Sequence, residues 1–333
     1  MKVLVVGGGS MGKRRVRCLL ANGVKSEQIR MVDVRADRQA EVKEKHNVDS
    51  VNDLNAGLEW NPDAVIVSVP GAAHMEVNLA AARRGKHIFC EVPLGVNLDG
   101  MDELTKLVEK NKIVFAPGCQ PPNHVLFKQV KQWLEDPEFG KILALVVEFG
   151  QYLPDWHPYE DYRKFYASDT KMGGGNLDVI AQEMALFYWL MNGDRVTELT
   201  CSGKKASTLE IKGNDIWDIT ADTKNGARMM MHFDMIQRVG RNFIRIISEQ
   251  GTIEINLVEG MIKRFLISNK QWETRSLPLG YVYEQCYIDE IGTFLKCIEG
   301  NSQWYNPLPA AIDIVKFLLA MQKSAETKTS VKV

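Results

Sequence analysis

Short apolar runs alternate with longer amphipathic stretches through the first third of the chain. "KVLVVG", "QIRMVDV", "DAVIVSVP", "HIFCEVP" and "KIVFAPG" are rich in Val and Ile, show no polar alternation of period two, and end at Gly, Pro or Asp. Strands buried on both faces of a parallel sheet read this way. Between them, "MGKRRVRCLLANG", "DRQAEVKEKHN", "HMEVNLAAARRG" and "LDGMDELTKLVEKN" carry apolar residues at three- and four-residue spacing and often close at Gly or Asn, as surface helices do. Strand and helix in steady repetition predict right-handed βαβ units, hence an α/β doubly wound parallel sheet over residues 1–120.

The pattern changes near residue 120. "ILALVVEFGQYL", "VTELTCSGKKASTLEI", "IWDITADTKNGARMMMHFDMIQ", "NFIRIISEQGTIEINLV" and "GMIKRFLIS" follow one another with few helices between them. Asn225-Gly226 and the reversal near Gly251 mark tight turns, so an open, mostly antiparallel sheet is expected in an α+β domain over 121–333. "RMMMHF" reads as a strand of that sheet, its methionines filling core or interface. The apolar helix in "GGGNLDVIAQEMALFYWLMNG" should be buried, and two helices end the chain, the last expected to pack back on the first domain.

Composition narrows the class. The 333 residues are 45% hydrophobic and 25% charged, with a formal net charge of −1, which suits a soluble two-domain protein and gives no basic excess for nucleic acid or an anionic membrane. No apolar run approaches the roughly 20 residues of a membrane span. The opening "KVLVVG" is interrupted by glycines and reads as a strand, not a leader. Six cysteines lie scattered without disulfide or metal-ligand spacing, and His46, His87 and His232 are isolated, so no metal is expected and a reducing cytoplasm is the expected location. Cys90 and Cys119, near strand ends, read as buried thiols.

The most specific motif is "VVGGGSMGKRR". Gly7, Gly9 and Gly12 form G-x-G-x-x-G between a predicted strand and a predicted helix, with Ser10 and Met11 inside the loop. Such glycines allow the turn, the approach of a pyrophosphate to the backbone, and helix–strand packing. Asp33 ends the second strand 21 residues after Gly12, where a carboxylate accepts ribose hydroxyls. NAD(H) is the expected cofactor; Arg38 or Arg35 would allow NADP(H) as a second choice. Pro70 and His74 follow the third predicted strand and Glu91 and Pro93 the fourth, at the sheet end where the rest of a dinucleotide lies.

These motifs, with "NPDAVIVSVPGAAHMEVNLAAARRGKHIFCEVPL" and "AMQKSAETKTSVKV", resemble the glucose–fructose oxidoreductase / inositol dehydrogenase / MocA family over almost the whole length. The resemblance implies a sugar-type small-molecule substrate and a homodimer or homotetramer built through the outer face of the C-terminal sheet. "GQYLPDWHPYEDYRKFY" followed by Gly173-Gly174-Gly175 is similar to members serving bacterial surface-polysaccharide and nonulosonate synthesis. It also implies that Glu91 and Pro93 shape the nicotinamide pocket.

The same resemblance exposes departures. Val92 stands where the family's Glu-Lys-Pro motif has its lysine, and Pro121-Pro122 replace a common Arg-Phe pair. Aligned without gaps from Gly175, Val179 falls at the family's aspartate and Gln182 at its histidine, with Glu183 next and Asp178 one residue off. Glutamine hydrogen-bonds but does not titrate. One reading keeps an enzyme with its proton chemistry moved to His157, Glu183 or a nearby tyrosine, with Gln182 facing substrate, or reduces a conjugated acceptor needing little acid/base help, as the family's lysine-less biliverdin reductases do. The other is a catalytically inactive NAD(H)-binding member that acts as a binding or regulatory partner.

Overall fold

A computed structural model describes residues 1–333. In chain order its elements begin with β1 (Val3–Val6), α1 (Ser10–Ala21), β2 (Ile29–Val32), α2 (Ala36–His46), β3 (Asp49–Val51), α3 (Leu54–Glu59), β4 (Ala64–Val67), α4 (His74–Arg83), β5 (His87–Cys90), α5 (Met101–Lys110) and β6 (Phe115–Pro117). They continue with α6 (Val125–Glu135), β7 (Ile142–Gly150), α7 (Leu177–Leu190), β8 (Val196–Lys204), β9 (Ile216–Thr223), β10 (Arg228–Asp234), β11 (Arg241–Ser248), β12 (Gly251–Asn256), β13 (Met261–Leu266) and β14 (Trp272–Ser276). The chain closes with α8 (Glu284–Ile298), α9 (Leu308–Thr327) and β15 (Val331–Lys332).

Two compact units result, one formed by residues 1–123 and 283–312, the other by 124–282 and 313–333. The first holds a six-stranded sheet in the order β3-β2-β1-β4-β5-β6, with every pairing parallel. Residues of β1 and β4 are all buried, which is why those strands lack polar alternation. β3, "DSV", is partly exposed and polar, and it left no hydrophobic signal in the sequence. The segment that returns to this unit is 283–312 with α8, where the sequence suggested the last helix. Ile291 and Phe294 of α8 join Val3, Val5, Val16, Leu19 and Phe89 in one core, and the Trp304 indole N–H donates to the Pro117 carbonyl at 3.0 Å.

The second unit holds nine strands in the order β14-β13-β12-β11-β7-β10-β9-β8-β15. Pairing is antiparallel except between β7 and β10. The β9–β10 hairpin turns at Asn225-Gly226, with Gly226 at φ +88°. Met229, Met231 and Phe233 of β10 are buried while Met230 lies on the opposite, half-exposed face, the alternation a one-sided sheet demands. No helix is long and apolar enough to cross a membrane.

Candidate active site

In the first unit, steric limits define a cradle at the carboxyl ends of β1 and β4, where the strand order reverses. Gly7 has φ +99°, and a β-carbon there would stand 2.5 Å from the Ser68 carbonyl oxygen; one on Gly12 would stand 1.7 Å from that of Gly7. Both glycines are required by the turn itself. Gly9 differs. Its φ of −70° suits any residue, and a β-carbon would meet only the Arg38 guanidinium, at 3.8 Å. The open space over Gly9 is the approach a pyrophosphate needs, and Gly9, the N-cap of α1, offers no side-chain cap, leaving the first-turn amides available to an anion.

Asp33 stands beside this turn. Its carboxylate accepts from the Gly8 amide at 2.6 Å and the Arg35 amide at 2.8 Å, and Arg38 reaches it at 3.4 Å. A carboxylate has further lone pairs for ribose hydroxyls. Ser10 and Met11, expected inside the loop, instead form the first turn of α1; Ser10 is exposed and Met11 half-buried, its sulfur accepting from Arg14.

The ends of β4 and β5 are tied by His74. It is buried, with Nδ1 2.7 Å from the Pro93 carbonyl and Nε2 2.7 Å from that of Val69, beside the half-buried Pro70. Burial lowers its pKa. The neutral imidazole donates to one of these two carbonyls and packs against the other. Val92, half-buried, sits between Glu91 and Pro93, and the Val92–Pro93 peptide is cis. Glu91 accepts from Arg15 Nε at 2.6 Å.

In the second unit, the three glycines bring a loop onto the start of α7. A β-carbon on Gly174 would stand 2.3 Å from the Tyr166 carbonyl oxygen, and Gly175 at φ +69° is held through its carbonyl by the Trp217 indole N–H. This close pass sets Tyr166 beside α7: its hydroxyl donates to Asp178 Oδ2 at 2.7 Å. Burial pushes the Asp178 carboxyl up from its usual range, partly offset by that bond. Gln182 lies one turn on, so at i and i+4 the two share a face. Asp178, Val179, Gln182 and Trp189 are the partly open positions of that side. The ungapped alignment passed over Asp178, which the four-residue step to Gln182 places on the same face of α7.

Glu183 points elsewhere, about 100° around the helix. It is buried, its Oε2 has no partner, and burial raises its pKa to about 7. Asn176, on the same side two turns earlier, is buried with both amide atoms unpartnered. His157 bonds Tyr159 at 2.8 Å and packs edge-on against Phe165, whose ring also packs edge-on against Tyr166.

Glu183 gives a signed pH prediction. Its folded pKa is raised, so between about pH 4.5 and 7 the unfolded chain ionises while the folded one keeps its proton, and stability falls as pH rises through that window. Replacing Glu183 by Gln should leave stability unchanged at pH 4 and raise it above pH 7, by up to about 3 kcal/mol. Denaturant melts at both pH values check this; an equal effect at both would contradict it.

Comparison with known proteins agrees with the cradle. Residues 1–119 match the model of an oxidoreductase family with an NAD-binding Rossmann fold, and residues 127–254 match the GFO/IDH/MocA C-terminal domain. The chain carries both domains of the GFO/IDH/MocA family. Myo-inositol 2-dehydrogenase of Thermotoga maritima is 26% identical, the alignment covering 100% of this chain and 98% of that protein. Levoglucosan dehydrogenase, solved with NADH and levoglucosan, superposes with a TM-score of 0.88 at 17% identity, covering 100% and 99% of the two chains. The WlbA dehydrogenase of Bordetella pertussis, solved with NADH and UDP-GlcNAcA, superposes with a TM-score of 0.82 at 16% identity, covering 100% and 98%. As a GFO/IDH/MocA member the chain is an NAD-binding oxidoreductase.

In this family member, Asp33 should set cofactor choice. Asp33→Ala removes the charge that repels a 2′-phosphate and leaves Arg38 to attract one, so the ratio of NADH to NADPH affinity should fall about tenfold. Fluorescence titration with both reduced cofactors measures it, and an unchanged ratio would overturn the assignment.

Proposed function

We propose that this protein is an NAD(H)-dependent dehydrogenase of a polyhydroxylated substrate, a sugar or sugar nucleotide of bacterial surface-glycan metabolism, in which Tyr166 and Asp178 do the proton work. The observation that carries this is the 2.7 Å bond from the Tyr166 hydroxyl to Asp178, on the face that Gln182 shares. Family membership supports the cofactor, and the likeness to inositol and levoglucosan dehydrogenases supports the substrate class.

Held by the cradle of Gly7, Gly9, Gly12 and Asp33, NAD⁺ supplies a hydride acceptor. The residues of this chain handle the remaining proton. A substrate hydroxyl held at Tyr166 would pass its proton to the Tyr166 oxygen while Tyr166 gives its own proton to Asp178. The raised pKa of Asp178 makes that carboxylate a better acceptor than an exposed one. Gln182 hydrogen-bonds a neighbouring hydroxyl and orients the sugar ring. The outer face of the second sheet, with Met230, Phe243, Phe265 and Trp272 among charged residues, supports assembly as a homodimer or homotetramer.

The test is turnover with NAD⁺ over a panel containing myo-inositol, levoglucosan, UDP-sugars and UDP-sugar uronates, followed at the absorbance band of reduced nicotinamide. Reduction with at least one polyol or sugar nucleotide is expected. Tight NADH binding without reduction across the panel would favour a binding or regulatory role.

A further inference from the structure

Arg15 lies one turn after Gly12 on α1, fully buried, a place where a long charged side chain is seldom found. Its Nε donates to Glu91 Oε1 and its Nη1 to Glu290 Oε2, both at 2.6 Å. The guanidinium carbon sits 4.4 Å from the centroid of the Phe89 ring and 5.3 Å from that of Tyr287. Glu290, on α8, is also fully buried, and its second oxygen accepts the Cys119 amide at 2.6 Å, just past β6. One guanidinium thus ties the helix of the glycine loop, the end of β5 and the returning α8, and through Glu290 the end of β6. Burial opposes its charge, yet the two carboxylates hold the Arg15 pKa well above its ordinary value.

Glu91 is the one member of the three with its side chain partly accessible, at 17%. It ends β5. A dinucleotide lies across the crevice of a doubly wound sheet with one mononucleotide over each half. Asp33 after β2 marks the adenosine half, so β4, β5 and β6 carry the nicotinamide half. Burying three charges is unfavourable unless the geometry is very good, and well-packed apolar side chains of similar size would hold the fold as well.

We infer that Arg15 and Glu290 are positioning residues for the nicotinamide half of the cofactor site, acting through Glu91. The inference rests on the NAD(H) reading above. Neither residue reaches the ligand; each acts by keeping the Glu91 carboxylate and the turn after it in register with the glycine loop.

The test compares NADH with ADP-ribose, which has the adenosine and pyrophosphate groups and lacks nicotinamide. Both are titrated against the wild type, Arg15→Met and Glu290→Gln, with thermal melts in parallel. The expected result is that Arg15→Met weakens NADH about tenfold, that Glu290→Gln weakens it less, and that ADP-ribose changes by less than about twofold in either. Arg15→Lys, which keeps the charge and reaches a single carboxylate, should recover part of the NADH affinity. If Arg15→Met fails to fold, Glu290→Gln and Arg15→Lys carry the comparison. Loss of both ligands in parallel, or no change in NADH, would overturn the inference. Wild-type protein that binds neither ligand would instead overturn the cofactor reading, and this one with it.

Discussion

Gly9→Val should fold like the wild type and lose NADH binding by at least about a hundredfold, roughly 2.7 kcal/mol. The backbone at Gly9 is in a conformation open to valine, and the only atom within 4 Å of a β-carbon there belongs to the Arg38 side chain. Its melting temperature should fall by only a few degrees, since a β-carbon there meets no backbone and the cost is confined to the N-cap preference for Gly over Val. Gly12→Ala is the contrasting case. Its β-carbon would stand 1.7 Å from the Gly7 carbonyl oxygen, so α1 or the turn must move, a strain of about 1–3 kcal/mol or more. That variant should melt several degrees lower as well as bind poorly. Melting curves and fluorescence titrations on the two proteins separate the contributions: a Gly9→Val protein that binds NADH normally would show that the space over Gly9 is not the cofactor's path.

Loss of the Tyr166–Asp178 pair should have a comparable effect on turnover. Tyr166→Phe removes the hydroxyl that gives Asp178 its bond, and Asp178→Asn removes the titrating acceptor. A positioned general acid or base contributes about 10²–10⁴ in rate, so each variant should lower kcat by that order while NADH affinity stays near wild type. The double variant should be little worse than either single one, because the two residues act as one relay. Steady-state kinetics on the substrate that the panel identifies, with NADH titrations alongside, check this. Multiplicative losses would show two independent roles.

How far the sequence disclosed these features depends on how local each one is. Gly7, Gly9, Gly12 and Asp33 were legible because the turn, the first helix and the second strand that need them are contiguous, and because strands buried on both faces write unbroken apolar runs. β3 and β14 were not. They are exposed edge strands, "DSV" and "WETRS", with no hydrophobic face to leave a period. Arg15 in "KRRVR" reads as one more surface cation; its partner Glu290 is 275 residues away, and only the return of α8 makes the pair. Asp178 was visible but set aside, since an ungapped alignment placed Val179 at the family's aspartate. On α7 the step from Asp178 to Gln182 is one turn, so the two share a face. Tyr166 lies 12 residues before Asp178 across a loop of short 3-10 turns, where no periodicity predicts which side chains meet.

The most direct test of the account is the fate of the hydrogen on the carbinol carbon. A panel substrate carrying deuterium at that carbon is incubated with the protein and NAD⁺, and the reduced cofactor is recovered for mass and proton spectra. The account predicts reduced nicotinamide with one deuterium at C4, in the wild type and, far more slowly, in Tyr166→Phe. Reduced cofactor without the label, or tightly bound NAD(H) with no reduction by any polyol or sugar nucleotide, would contradict it.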